Sequence, residues 1–396
     1  MKEGWTYKKL GEVGTFVRGG GFLKRDYVEN GIPCIHYGQI HTVLGNVTTE
    51  HLTSISEELR SKTKFASKGD VIFAITSEDV EGSCKCTAWM GDYDVAVGGH
   101  AAIYKSSLNP AYVSYYAKSP VFYNAKKQYV HGFKVMEIKP ADIAQIDIPV
   151  PSLDEQQRIV ERLDAAFENI DKLKANAEKQ LAEAQTLFQK SLAKAMEPKE
   201  GWEEKTLKEI VLTITDGDHQ PPPKSNEGIP FITISNINKD SNKIDFEDTF
   251  YVPQHYFDGL KTDRIPQEGD VLYTVTGSFG IPVLIDYKKD FCFQRHIALI
   301  RPNQKMLFSK YLYYWILSDY AKVQAEDTAT GAAQRTVSLN SLRKFRISIP
   351  PLAEQQRIVE RLDALSENIH KYEEIQRQII SECDALKQAL LRKVFE

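Results

Sequence analysis

Glu155-Gln156-Gln157-Arg158-Ile159-Val160-Glu161-Arg162-Leu163-Asp164-Ala165 recurs without a change at Glu354–Ala364. Eleven identical letters, polar and apolar alike, returning after 199 residues mark a tandem duplication. Ahead of each copy of the undecamer, further pairs keep nearly the same offset. Lys2-Glu3-Gly4-Trp5 matches Lys199-Glu200-Gly201-Trp202, Gly31-Ile32-Pro33 matches Gly228-Ile229-Pro230, and Gly69-Asp70-Val71 matches Gly269-Asp270-Val271. The runs Cys34–Ile40 and Phe231–Ile237 alternate apolar and polar residues and are read as strands. Tyr112–Ser119 and Tyr311–Ser318 are read as aromatic-rich buried helices. Ile146-Asp147-Ile148-Pro149 and Ile347-Ser348-Ile349-Pro350 are short strands leading into the repeated stretch. The expectation is a mixed α/β fold, two globular units of one design separated by two long helices, with the differences between the copies concentrated in loops.

Each repeated stretch opens a heptad pattern. Apolar or small residues fall at Ile159, Leu163, Ala166, Ile170, Leu173, Ala177, Leu181, Ala184, Phe188 and Leu192. In the second copy they fall at Ile358, Leu362, Leu365, Ile369, Tyr372, Ile379, Leu386 and Leu390, with Gln376 and Cys383 at weaker seam positions. Steps of four and three sustained this long indicate a coiled-coil seam. Ser152-Leu153-Asp154-Glu155 carries capping-box spacing after Pro151, whereas Pro350-Pro351-Leu352 keeps only the proline stop. The first helix runs into the second globular unit and the second helix leaves that same unit, so the two pair antiparallel. This predicts a rod with a head at each end and a pseudo-two-fold axis.

A seam accounts for Ile159, Leu163, Ile358 and Leu362. It leaves unexplained the identity of Gln156, Gln157, Arg158, Glu161 and Arg162 with Gln355, Gln356, Arg357, Glu360 and Arg361, which the heptads turn outward. These ten residues are read as a docking face for one partner, bound twice.

Composition limits the function. The net charge is −4 and neither globular half is markedly basic, which argues against strong non-specific nucleic-acid binding. Five cysteines, Cys84 and Cys86 alone being close, form no zinc framework and are expected to be reduced. No apolar stretch near Met1 resembles a signal segment and none is long enough to span a bilayer, so a cytoplasmic protein without membrane contact is expected. There is no P-loop, dinucleotide fingerprint or H-E-x-x-H motif. Asp270, Asp286 and Lys288 loosely match metal-nuclease spacing, and a stand-alone metal-dependent nuclease is one alternative. A scaffold for a non-DNA partner is another. The chain is expected to catalyse nothing and to bind no metal or cofactor.

Two variable units alternating with two near-identical helices, each following I-x-I-P and containing L-x-E-Q-Q-R-I-V or its close variant, resemble the specificity subunit of type I restriction–modification enzymes. The resemblance covers the whole chain. It implies two target-recognition domains at 1–150 and 198–350, and conserved helical regions at 151–197 and 351–396. It further implies double-stranded DNA with an asymmetric bipartite target, two modification (methyltransferase) subunits and two restriction (endonuclease/translocase) subunits as partners. S-adenosylmethionine, ATP and Mg belong, by the same resemblance, to those partner subunits. Phosphate contacts supplied by the partners would reconcile DNA binding with an acidic chain.

Base readers are then sought among polar loop residues in equivalent but non-identical places. In the first half these are Arg18, Lys24, Arg25, His36, Tyr37, Gln39, Ser77 and Lys134. In the second they are His219, Gln220, Lys224, Asn236, Thr276, Ser278, Arg295, Gln334 and Arg335. Gln39 and Asn236 align, and a side-chain amide at either position could read adenine in the major groove.

Overall fold

The computed structural model describes residues 4–217, 219, 222–332 and 334–396. Gln220 therefore lies outside the described residues, as do Lys2, Glu3, Asp218 and Pro221. The chain divides into two compact units, Met1–Glu178 with Arg377–Glu396, and Lys179–Gln376. Four helices organise them: α1 (Pro110–Ala117), α2 (Leu153–Met196), α3 (Ser309–Leu317) and α4 (Leu352–Phe395).

In the first unit a two-stranded ribbon, Thr6–Lys9 antiparallel to Asp147–Val150, brings the start of the unit beside the lead-in to α2. One five-stranded sheet has the order Gly14–Arg18, Ala101–Ser106, Val71–Ala74, Cys86–Trp89, Val47–Thr48. A second has the order Tyr27–Val28, Thr53–Ile55, Ile32–Ile35, Val95–Val97, Lys64–Ala66. Val71–Ala74 is buried at every position, as its unbroken apolar run requires. Seven of the eight residues of α1 are buried. Its N-terminus is held by Pro110 after the Asn109 cap, whose side chain accepts from the Tyr112 N–H.

The second unit repeats this plan. Glu203–Thr206 pairs antiparallel with Arg346–Ile349. A four-stranded sheet runs Val211–Asp216, Ile297–Pro302, Val271–Thr274, Pro282–Leu284, and a three-stranded one Phe250–Val252, Ile229–Ile232, Cys292–Phe293. The strands expected at Cys34–Ile40 and Phe231–Ile237 are shorter than their alternation suggested. They stop at Ile35 and Ile232, and the chain turns into the helix Tyr37–Thr42 or the 3-10 turn Ile234–Asn236.

Residues from both long helices enter each unit. In the first, Ile159, Val160 and Leu163 of α2 share a core with α1, and Leu391 and Phe395 of α4 close it. In the second, Leu192, Ala195 and Met196 of α2 and Ile358, Val359 and Leu362 of α4 occupy the corresponding places around α3. The helices pack together antiparallel. Within the first unit Lys174 lies 2.7 Å from Asp384 and Lys387 pairs with Asp171; within the second, Tyr372 OH donates to Gln180 at 2.7 Å.

The seam differs in detail from the heptad reading. Gln376 and Cys383 are buried at their seam positions, but Leu173, Tyr372 and Leu386 are exposed and Glu373, next to Tyr372, is buried instead. All five cysteines are buried free thiols. Among the described residues no helix is long and apolar enough to cross a membrane.

The Gly-Asp turns before the central strands also match. Gly69 and Gly269 both take φ +94°, a left-handed conformation suited to glycine. Asp70 accepts from the Ser67 N–H and from Lys105, and Asp270 accepts from the Gln267 N–H and from both Nε and Nη2 of Arg301, at 2.7–2.8 Å. Asp270 is thus the buried half of a bidentate ion pair, and the hydrogen bonds it accepts raise the Arg301 pKa. That occupation removes it from the metal-nuclease alternative. Asp286 and Lys288 are exposed, and among the described residues no group of three or more His, Cys, Asp or Glu is placed to hold a metal ion.

Candidate nucleic-acid interface and docking face

In the first unit, loops from four places converge. Arg18, at the end of its strand, donates to the Gly99 carbonyl at 3.0 Å and lies 3.1 Å from Glu137. Tyr37 is exposed, and its ring centroid lies 5.2 Å from that of His100 and 5.9 Å from that of His41. His41 Nε2 is 2.9 Å from the Thr76 carbonyl. Ser77, the next residue, pairs with Met136 across a small sheet whose hairpin loop carries exposed Lys134. Lys24 and Arg25 are exposed on a 3-10 turn that leads into Tyr27, whose ring is 5.7 Å from His36. His36 is half-buried, and burial lowers its pKa; a neutral ring can donate at one nitrogen and accept at the other. Arg18, Lys24, Arg25, His36, Tyr37, Ser77 and Lys134 are therefore on connected segments. His41 and His131 lie in the same region and are not among the candidates, while His100, which aligns with His296, is left out because aligned histidines more often serve the fold.

Gln39 is removed from this set. It is buried, its Oε1 accepts the His36 N–H at 3.1 Å, and its Nε2 donates to Thr53 at 3.1 Å. Asn236 is engaged in the same way, its Oδ1 accepting from the Thr233 N–H at 2.9 Å and its Nδ2 donating to the Asp248 carbonyl at 2.8 Å. The alignment of the two amides reflects one helix-capping turn kept in both copies. Neither amide is free for a base edge.

The second unit builds a comparable surface from other letters. Val275 N–H donates to the His296 carbonyl and Gly277 N–H to the Arg335 carbonyl, which joins Arg295, Thr276, Ser278, Gln334 and Arg335. Thr276 is buried, its hydroxyl taking a long hydrogen bond from Thr336, so it supports the loop and is withdrawn as a reader. Ser278 and Gln334 are exposed. Arg335 pairs with Glu326 and lies over the Phe279 ring. Arg295 is exposed beside His296, whose pKa is lowered by burial and by that guanidinium. His219 lies 3.0 Å from Asp216, which also has Arg264 at 3.8 Å. Lys224 stands over the Phe250 ring, 4.9 Å from its centroid.

The repeated undecamer separates into two sets. Gln156 and Gln355 are buried, which corrects their assignment to the docking face. Gln156 accepts the Asn109 N–H ahead of α1 and donates to the Pro151 carbonyl; Gln355 accepts the Phe308 N–H ahead of α3 and donates to the Pro350 and Met306 carbonyls. Asp164 accepts from Tyr115 OH at 2.5 Å and Asp363 from Tyr314 OH at 2.6 Å. Burial, then the carboxylate, raises both tyrosine pKa values. Glutamine and aspartate thus fasten each long helix to the aromatic helix of its own unit.

Gln157, Arg158, Glu161 and Arg162 remain exposed, as do Gln356, Arg357, Glu360 and Arg361. Each set has the same internal bonds. Gln157 donates to Glu161 at 3.0 Å and Gln356 to Glu360 at 3.1 Å, while Arg158 lies 3.6 Å from Glu155 and Arg357 3.3 Å from Glu354. Ion pairs this exposed add little to stability, so folding alone does not account for the identity of these letters.

A family model described as the type I restriction modification DNA specificity domain matches residues 2–183 and again 199–379. Among curated relatives, the StySPI specificity subunit of Salmonella potsdam is 23% identical over 422 aligned positions, covering all of this chain and 89% of that one. Among solved structures, the HsdS subunit from Thermoanaerobacter tengcongensis is similar with a TM-score of 0.63 and 20% identity, covering 100% of this chain and 97% of that one. A chain from a study of complex assembly and conformational transition in the type I R-M system has a TM-score of 0.80 and 20% identity, covering 99% of this chain and 97% of that one. At such identity these structures speak to the fold.

Proposed function

The chain belongs to the type I restriction modification DNA specificity family, and from that premise we propose that it is the sequence-reading subunit of such a complex, recognising an asymmetric bipartite target. The observation that carries this reading is one scaffold built twice with two different polar faces. Arg18, Tyr37 and Lys134 stand on one, and Arg295, Ser278 and Gln334 on the other. Different faces call for different half-sites. The subunit acts without catalysis or a cofactor of its own and works in the cytoplasm. S-adenosylmethionine chemistry belongs to two modification subunits, and ATP-driven work to two restriction subunits recruited through them.

The test is to reconstitute the full chain with its modification subunits, methylate random-sequence DNA and map N6-methyladenine. Two unlike half-sites separated by a fixed gap are expected. Methylation without sequence preference would overturn the reading in favour of a scaffold, and nicking by the chain alone with Mg or Mn would favour a nuclease.

The two exposed undecamer faces are the docking sites for the modification subunits, one each. Replacing Arg158→Glu and Arg357→Glu together should weaken assembly by about tenfold or more, since each reversal sets like charges beside Glu155 or Glu354 and opposes the partner's complementary charge. Either replacement alone should leave a complex with one modification subunit, seen by native mass spectrometry. Unchanged stoichiometry in the double variant would refute the docking assignment.

A further inference from the structure

Phe133 is 91% exposed, an unusual state for an aromatic ring. It stands in a three-residue loop between the short strands His131–Gly132 and Met136–Glu137. Gly132 has φ +138°, and a Cβ there would come 2.0 Å from the Val135 carbonyl oxygen, so the loop demands glycine. The base of the hairpin is fixed as well. Met136 and Glu137 pair with Ser77 and Thr76, Glu137 lies 3.1 Å from Arg18, and the Ile138 N–H donates to the Ile75 carbonyl. The ring is thus projected, open on both faces, from the surface that carries Arg18, Ser77 and Lys134.

The second unit makes the same hairpin. Thr330 and Thr336 pair, Gly331 has φ +113°, and its Cβ would meet the Gln334 carbonyl oxygen at 2.4 Å. In that register Ala332 takes the place of Phe133, and Gln334 that of Val135. A ring needed for folding would be buried in its own unit; here the glycine turn is shared and the side chains it presents differ. Lys134, next to the ring in the loop, is an exposed cation, so the occupant should offer apolar surface beside negative charge. Stacked bases between phosphates meet both requirements.

We propose that Phe133 is a wedge of the first unit, its ring inserting into the base stack at one step of the first half-site. The second unit, with Ala332, reads its half-site without insertion. The step entered should be a pyrimidine–purine step, which unstacks most readily. The inference rests on the reading that these faces meet DNA.

The experiment uses the full chain in complex with its modification subunits, and duplexes bearing the mapped target with 2-aminopurine placed in turn along both half-sites. A fluorescence rise that depends on Phe133 is expected at one step of the first half-site and nowhere in the second. Phe133→Ala should abolish that rise and weaken binding about tenfold, the scale of a lost base–aromatic stack. Phe133→Leu should restore part of the affinity. Signals from adenines extruded by the modification subunits should persist in the alanine variant. If the wild-type complex is sequence-selective and Phe133→Ala matches it in affinity and fluorescence, the wedge alone is refuted. If the wild-type complex prefers no sequence, the DNA-reading assignment falls and the wedge with it.

Discussion

Replacing Phe395 by alanine should lower the melting transition of the first unit by roughly 6–20 °C while leaving that of the second in place. The ring is buried, its centroid 5.3 Å from Tyr112 and 5.4 Å from Tyr116. Both tyrosines are themselves fully enclosed, with hydroxyls donating to the Pro149 and Asp147 carbonyls. Removing a buried phenylalanine from such a site costs about 3–5 kcal/mol, and each kcal/mol moves a domain of this size by about 2–4 °C. Differential scanning calorimetry would show which transition moves. An unchanged first transition would mean that the end of α4 contributes no cohesion to the first unit.

Arg301→Ala should have a comparable effect on the second unit, about 3–5 kcal/mol, because it leaves the Asp270 carboxylate buried with only the Gln267 N–H. The equivalent change in the first unit, Lys105→Ala, should cost about 1 kcal/mol or less. The distinction is solvent access: side-chain exposure is 17% and 2% for Arg301 and Asp270, against 43% and 11% for Lys105 and Asp70. Water can take over from a lost lysine at Asp70, and it has no such access to Asp270. Chemical denaturation of the two variants in parallel checks the prediction, and equal losses would contradict it.

The duplication, the antiparallel pairing of the long helices and the aromatic helices were legible in the sequence because each rests on a repeated or periodic pattern. The duties of individual side chains within those patterns were not. Gln156 sits at an outward position by heptad counting, yet the chain leading into α1 of its own unit covers it and uses its amide as a clamp. Gln39 and Asn236 aligned as candidate readers, but equivalence in two copies also arises when a turn needs the same cap, and only their buried hydrogen bonds tell the cases apart. Leu173 and Leu386 follow the heptad and still face water, since periodicity records where an apolar stripe could pack and not which surface arrives to pack on it. For Phe133 a signal was present in the sequence: Gly132 and Gly331 occupy matching places, and the residues after them differ.

The presence of Arg377–Glu396 within the first unit has a consequence for how the protein is made. Roughly 200 residues separate Glu178 from Arg377, on the order of 10–40 s of ribosomal elongation. Through that interval the first head is synthesised but lacks the segment that seals Tyr112 and Tyr116. The second unit receives its Leu192 and Met196 before its own strands emerge. Order of synthesis and order of completion are therefore reversed: the head translated first is finished last, and until then its aromatic core is a surface for a chaperone to shield.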